Sequence, residues 1–302
     1  MRSSAASGKR SMPSSPGIDA VKKVAPVPGA VVLAVAPNGA RKTRKDHAAL
    51  PITPRELADC AVACRDAGAS MLHLHVRNAE GGHSLAPADY RPAVDAVRRA
   101  VGRSLVLQLT SEAVGIYAPA EQQAMVRELR PEAVSLALRE ILPDAASEPA
   151  GAAFLGWAHR EEIVVQYILY DVADVERYGD LRRRGLIPEG RHWVLFVLGR
   201  YAAGQRSSLA DLLPMLAAWR ALGEIASDIA WATCAFGPRE IECSLGAAAL
   251  GGHVRIGFEN NLLLPDGRTA RDNAELIGCF ADLAGRLGHS LADADQLRGL
   301  FA

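Results

Sequence analysis

Between Val31 and Leu287, eight short apolar runs alternate with eight amphipathic segments, and no second composition regime interrupts them. The chain has 302 residues, a length that suits one large α/β barrel of about 250 residues. Strict alternation of strands and helices means a parallel sheet, and eight repeats close it. The sequence therefore predicts a single (β/α)8 barrel of the TIM type over residues 29–302, preceded by a flexible leader at 1–28. An open doubly wound sheet would want a GxGxxG turn after the first strand. That turn reads "APNGARKTR" instead.

The predicted strands fall at 31–36, 70–76, 104–109, 132–138, 163–170, 192–198, 229–235 and 253–258. The helical patterns fall at 54–67, 87–101, 120–129, 151–159, 172–184, 208–222, 240–250 and 270–287. The first helix carries the fullest signal. Thr53 can cap it, Pro54 suits its first position, and Glu56 completes a T-x-x-E capping box. Gly68 then ends it, and Gly185 and Gly223 follow later helices in the same way.

Composition narrows the function. Lys+Arg and Asp+Glu are 34 each, so no charge excess points to nucleic acid or a membrane surface, and a charged ligand must be met locally. No apolar run approaches the ~20 residues of a membrane span. The five cysteines form no CxxC pair and leave an odd count, as expected of a reduced, cytoplasmic chain without a disulfide framework. The Ser-, Pro- and Lys/Arg-rich segment 1–28 lacks the apolar stretch of a signal peptide.

In such a barrel the active site lies at the carboxyl ends of the strands. "LHLHVRN" (72–78) puts His73, His75 and Arg77 there, two residues apart and so on one face of a strand. One reading is two nitrogen ligands for one metal ion; the other is a core histidine beside a solvated one. The remaining strand ends offer Asn38, then Thr110, Ser111 and Glu112, then Arg139 and Glu140, then Tyr170 and Asp171, then Arg200, and finally Arg255, Glu259 and Asn260. Alternate strands contribute to one layer of a barrel, so Glu259 of the eighth strand can converge with His73 and His75. Two imidazoles and one carboxylate with an open position suit a catalytic zinc, although the same donors also accept iron(II), manganese or nickel. The alternative for Glu259 is a salt bridge to an arginine at the mouth. Arg255 lies inside an apolar strand, where an unpaired charge is costly, so it must be paired or functional. His83 reads as a solvated loop residue, and Glu112 and Glu140 as ion-pair partners of Arg41, Arg139 or Arg200, or as catalytic groups.

Two blocks carry a resemblance: "LPITPRELADCAVACRDAGASMLHLHVRNAEGGHS" and "GGHVRIGFENNLLLPDGRTARDNAEL". Together they resemble the β-keto acid cleavage enzymes, typified by 3-keto-5-aminohexanoate cleavage enzyme, and the likeness runs from about Val31 onward. The resemblance implies a (β/α)8 barrel holding a divalent metal, usually Zn2+. The implied reaction condenses a β-keto acid with an acyl-CoA, commonly acetyl-CoA, and releases acetoacetate and a new acyl-CoA. It places the metal ligands on His73, His75 and Glu259, the catalytic arginine on Arg255 and a substrate-contacting serine on Ser84. Asn38, Thr110, Ser111 and Arg77 are expected to contact or brace the ligands. A homodimer or homotetramer is implied.

The family's base, an aspartate in "GFED", is replaced here by Asn260 in "GFEN". An amide cannot take a proton from carbon. "TSEA" (110–113) and "ALRE" (137–140) also replace runs containing small residues, and Arg41 and Gln166 stand where relatives offer carboxylates. Three readings follow: a divergent cleavage enzyme with Glu112 or Glu140 as base, a metal-dependent lyase, aldolase or hydrolase on another substrate, or a catalytically silent metal-binding barrel. The added charges predict a more acidic substrate than aminated or branched keto acids.

Overall fold

The computed structural model describes residues 29–301, so the expected leader at 1–28 lies outside the described residues. Eight parallel strands close into a barrel in chain order. They are β1 (Leu33–Val35), β2 (Met71–Leu74), β3 (Val106–Thr110), β4 (Ala133–Ala137), β5 (Val164–Leu169), β6 (His192–Leu198), β7 (Trp231–Ala235) and β8 (His253–Ile256). The register that matters for the site sets His73 beside Gln108, and Ala34 beside both Met71 and Arg255. Closure leaves no strand edge, which satisfies the backbone of a wholly buried sheet.

The helices follow as α1 (Pro54–Asp66), α2 (Pro87–Val101), α3 (Pro119–Leu129), α4 (Glu148–Arg160), α5 (Val172–Arg183), α6 (Leu212–Ala221), α7 (Glu240–Ala249) and α8 (Asn273–Arg286). The capping box at α1 forms: the Thr53 side chain accepts from the Glu56 N–H, and Glu56 accepts from the Thr53 N–H. Other ends move. The predicted 208–222 segment opens as a 3-10 turn over Leu209–Asp211, and the 270–287 segment begins only after Asp272, whose carboxylate caps α8. A final helix, Ala294–Gly299, and a single turn at Leu138–Ile141 have no counterpart in the sequence reading.

The predicted strand at 70–76 corrects most usefully. It breaks at His75, and Val76–Arg77 pairs antiparallel with His83–Ser84. The reason is hydrogen-bond accounting. The pairing of β1 with β2 ends at Leu72 and that of β3 with β2 at Leu74, so backbone beyond Leu74 has no barrel neighbour and folds onto its own loop.

Inside the barrel, character changes along the axis. Val32, Ala34, Met71, Val106, Trp193, Leu195 and Ala232 fill the amino end, and Leu297 and Phe301 of the C-terminal segment plug it from below. Trp193 and Phe301 meet edge to face at 5.7 Å. At the carboxyl end the buried residues turn polar: His73, Gln108, Ser135, Gln166 and Arg255. The apolar bottom and polar top gather the buried polar side chains at one end of the barrel.

Candidate metal centre and active site

His73 leaves the end of β2 into the barrel mouth, and His75 follows beyond the break. Their Nε2 atoms stand 3.1 Å apart. Glu259 Oε2 lies 3.1 Å from His75 Nε2 and 3.5 Å from His73 Nε2. An ion at about 2.0–2.2 Å from each donor sets tetrahedral ligands about 3.3–3.6 Å apart, so the three donors stand close to the spacing one ion needs. Buried Glu259 Oε2 has no hydrogen-bond donor, which a cation would answer. Among the described residues this is the one such cluster of histidine, cysteine and carboxylate side chains.

Local backbone delivers Glu259. Gly257 has φ +146°, and a Cβ there would stand 2.4 Å from the Ala36 carbonyl oxygen, so only glycine lets the chain turn off β8 against β1. The Glu259 N–H then bonds the same carbonyl at 3.0 Å. Gly39, at φ +61°, clears the space its side chain crosses; a Cβ there would meet Glu259 Cγ at 2.6 Å.

Two of the three donors, His73 and Glu259, are held in the protonation states a metal requires. Burial, then the nearby Arg255, hold His73 well below the ordinary histidine range, so it is neutral. Its Nδ1 donates to Gln108 Oε1 at 2.7 Å, leaving the Nε2 lone pair for a ligand. Gln108 Nε2 donates onward to Gln166 Oε1 at 3.2 Å. For Glu259, burial works toward protonation, but Arg255 and the two imidazoles outweigh it and hold the carboxyl well below the usual range. Arg255 Nη2 donates to Glu259 Oε1 at 3.0 Å and to Cys234 Sγ at 3.4 Å. The salt bridge expected as the alternative for Glu259 thus exists, and it leaves Oε2 free.

An inner pocket of about 20 Å³ is lined by the three donors with Thr110, Glu112, Glu140, Tyr170, Arg200 and Arg255. It adjoins an outer lobe of about 240 Å³ that adds Asn38, Arg41, Lys42 and Asp46. A larger cavity of about 650 Å³, lined by Trp219, Trp231 and His253, lies at the opposite end of the barrel, away from the metal donors. Glu112 Oε1 pairs with Arg200 at 3.0 Å, inside the mouth rather than on the open surface. Arg139 instead pairs with Asp171 and Asp174.

Of the other sequence-derived candidates, Asn38 and Thr110 line the cavity, whereas Arg77, Ser84 and Ser111 reach the mouth but not the cavity. Arg77 does not share a face with the histidines, because the strand breaks between them. Its guanidinium donates to the carbonyls of Gly39 and Lys42 at 2.6 and 2.9 Å and so braces the loop after β1. Ser84 donates to Asp89 and accepts from the Ala86 N–H, tying the hairpin to the start of α2. Ser111 turns to the Ser135 carbonyl at 2.9 Å. Asn38 faces the outer lobe while its amide donates to Pro51 O at 2.9 Å, and Thr110 Oγ1 accepts from the Glu112 N–H. His83 is buried rather than solvated: it bonds the Glu112 carbonyl at 2.8 Å, and burial pushes it down to about 4.

Asn260 faces backwards. Its Nδ2 donates to Glu240 Oε1 at 2.9 Å and to the Arg255 carbonyl at 3.1 Å. Glu240 also accepts from the Gly257 N–H at 3.0 Å, and burial raises its carboxyl to about 8. Sequence reasoning missed Glu240, which reads as an ordinary acidic residue at a helix start. It also missed Lys42, whose Nζ donates to the Glu259 carbonyl at 2.6 Å. Gln108 was findable: it stands two residues before Thr110, on the face of β3 that reaches the mouth.

The chain is 26% identical over 278 residues to 3-keto-5-aminohexanoate cleavage enzyme of Acetoanaerobium sticklandii, covering 90% of this chain and 97% of the relative. It is 26% identical over 280 residues to 3-oxoadipate:acetyl-CoA acetyltransferase of Cupriavidus necator, covering 89% and 94%. Among solved structures, apo ObcA superposes with a TM-score of 0.65 at 18% identity, and supports the fold alone; the match covers 83% of this chain and 65% of ObcA. The family model for beta-keto acid cleavage enzyme matches residues 30–302. Over residues 30–302 this chain belongs to the beta-keto acid cleavage enzyme family.

Proposed function

We propose that this protein is a metal-dependent β-keto acid cleavage enzyme, condensing a β-keto acid with acetyl-CoA and releasing acetoacetate and a new acyl-CoA. The observation that carries the reading is the convergence of His73, His75 and Glu259 beside Arg255 at the one polar end of the barrel. Zn2+ is the favoured metal. Once bound it supplies Lewis-acid polarisation of the keto acid's oxygens.

The chain's own residues do the rest. Arg255 is buried and held by Glu259 and Cys234 through one Nη2, with the remaining guanidinium nitrogens available to a carboxylate or a developing enolate oxygen. Gln108 fixes the His73 ring. Thr110 and Tyr170 line the inner pocket at the donors, and the body of the keto acid takes the outer lobe. Arg200, Lys42 and Arg41 line the way in. This supports a keto acid with a second carboxylate, and the likeness to an acetyltransferase named for 3-oxoadipate points the same way.

The test joins metal analysis with acetyl-CoA consumption against a panel of β-keto acids, dicarboxylic members included. Near-stoichiometric zinc and fastest turnover of a dicarboxylic keto acid are expected. Cleavage of a keto acid without any thioester would replace the reading with a lyase or hydrolase. Binding without turnover would leave a silent barrel.

A further inference from the structure

Resting on that reading, we infer that Glu140 is the base that takes the α-proton of the keto acid, in place of the residue at position 260. Four carboxylates besides the metal ligand come near the mouth, and the geometry separates them: Asp46 lines only the outer lobe, where its Oδ2 accepts from the Thr43 N–H and hydroxyl. Asn260 is an amide, is buried, and spends its Nδ2 on Glu240 and the Arg255 carbonyl. Glu240 lies behind it, wholly buried, and lines neither lobe of the cavity. Glu112 lines the cavity but is neutralised by Arg200 at 3.0 Å. Its Oε1 is thereby occupied by the Arg200 guanidinium.

Glu140 differs on each count. It follows β4 on the single turn Leu138–Ile141 and lines the inner pocket with His73, His75, Arg255 and Glu259. Among the described residues it has no salt bridge, in contrast to Glu112 and Glu259. One oxygen, Oε2, is fixed by the Ala113 N–H at 2.9 Å and by Gln122 Nε2 at 3.1 Å. Among the described residues no hydrogen bond holds Oε1. The carboxylate is thus aimed by two neutral donors and keeps one oxygen for a proton. Burial, reinforced by Glu112 and moderated by the Ala113 N–H, Gln122 and Arg200, raises its proton affinity above that of an ordinary glutamate. The other ionisable group facing it is the Tyr170 phenol, which burial keeps protonated. A base suited to carbon acids needs that increase.

The step balances without an outside reagent. The C–H bond between ketone and carboxylate breaks, the proton passes to Glu140 Oε1, and the electron pair delocalises onto the ketone oxygen beside Arg255. The carbanion attacks the thioester carbonyl and expels the CoA thiolate. That thiolate then cleaves the condensed product, and the departing acetoacetate carbanion recovers the proton from Glu140.

The test is a half-reaction that needs no thioester: exchange of the keto acid's α-hydrogens with D2O, followed by NMR above the uncatalysed background. Wild type, Glu140→Gln and Glu112→Gln are compared, with metal content and keto acid affinity measured on each. We expect Glu140→Gln to lose about 10²–10⁴-fold in exchange rate while keeping metal and keto acid binding. Near wild-type exchange in Glu140→Gln, or its loss in Glu112→Gln instead, overturns the assignment and leaves the proposed function standing. No exchange and no thioester consumption by the metal-loaded wild type overturns both. If Glu140→Gln fails to fold, Glu140→Asp replaces it. A folded Asp variant exchanging at the wild-type rate overturns the assignment, and slowed exchange with unchanged keto acid binding supports it.

Discussion

Asn260 Nδ2 donates to Glu240 Oε1 across 2.9 Å, and both side chains are buried behind the metal donors rather than among them. The Glu240 carboxyl also receives the Gly257 N–H, so it holds the turn that carries Glu259. The amide at 260 and the carboxyl at 240 thus form one unit that supports the site from outside.

That pairing sets the outcome of restoring an aspartate. In Asn260→Asp two carboxyl groups face each other in a buried space, where they cannot both ionise cheaply. The single variant is expected to lose stability and gain no activity. Combining it with Glu240→Gln re-creates an amide–carboxylate pair and is expected to recover about 0.5–3 kcal/mol of coupling energy. A double-mutant cycle in urea measures it; additive losses would contradict the pairing.

Stability should also depend on pH through Glu240. Its carboxyl keeps a proton up to about 8 in the folded chain, against an ordinary 4.5. Between those values the folded state binds more protons, so this contribution is fully present below 4.5 and is lost as pH rises through about 8. Urea midpoints for wild type and Glu240→Gln, taken from pH 5 to pH 8.5, should show the fall in wild type and a flatter profile in the variant.

Gln108 touches His73 rather than the ion. Replacing it with leucine removes the acceptor that fixes the ring and its tautomer, and metal affinity is expected to fall about 10–100-fold. Competition with a chelator of known affinity reads this directly. Unchanged affinity would mean that packing alone orients His73.

Ser84 separates a structural part from a substrate contact. Its hydroxyl bonds Asp89 and the Ala86 N–H, so Ser84→Ala should cost about 1 kcal/mol in stability with little change in KM for the keto acid. A raised KM with intact stability would return Ser84 to the substrate site.

The barrel was legible because its cause is local and repeated. Each apolar run between turn residues can only be a buried strand, and eight of them with intervening helices leave one closed solution. The α1 capping box needed three residues, and it forms as read. His73, His75 and Glu259 were legible as a set because barrel strand ends face one mouth, but only His73 lies on a strand; the break after Leu74 and the turn at Gly257 aim the other two. His83, Ser84 and Arg77 were not legible, because the strand ends where its neighbours run out, and the hairpin that follows turns their side chains elsewhere.

The sequence by itself determined the fold class and the identity of position 260 as an amide, and it named His73, His75 and Glu259 as a set that the structure brings together. Only the tertiary structure decided which carboxylates are free. Glu112, Glu140 and Glu240 are the same residue type, and nothing in their local sequence tells them apart. Their difference lies in partners far along the chain: Arg200 for Glu112, Ala113 and Gln122 for Glu140, and Asn260 with the Gly257 N–H for Glu240. The charge and proton affinity of a carboxyl depend on what surrounds it in space, and closure of the barrel is what brings those surroundings together.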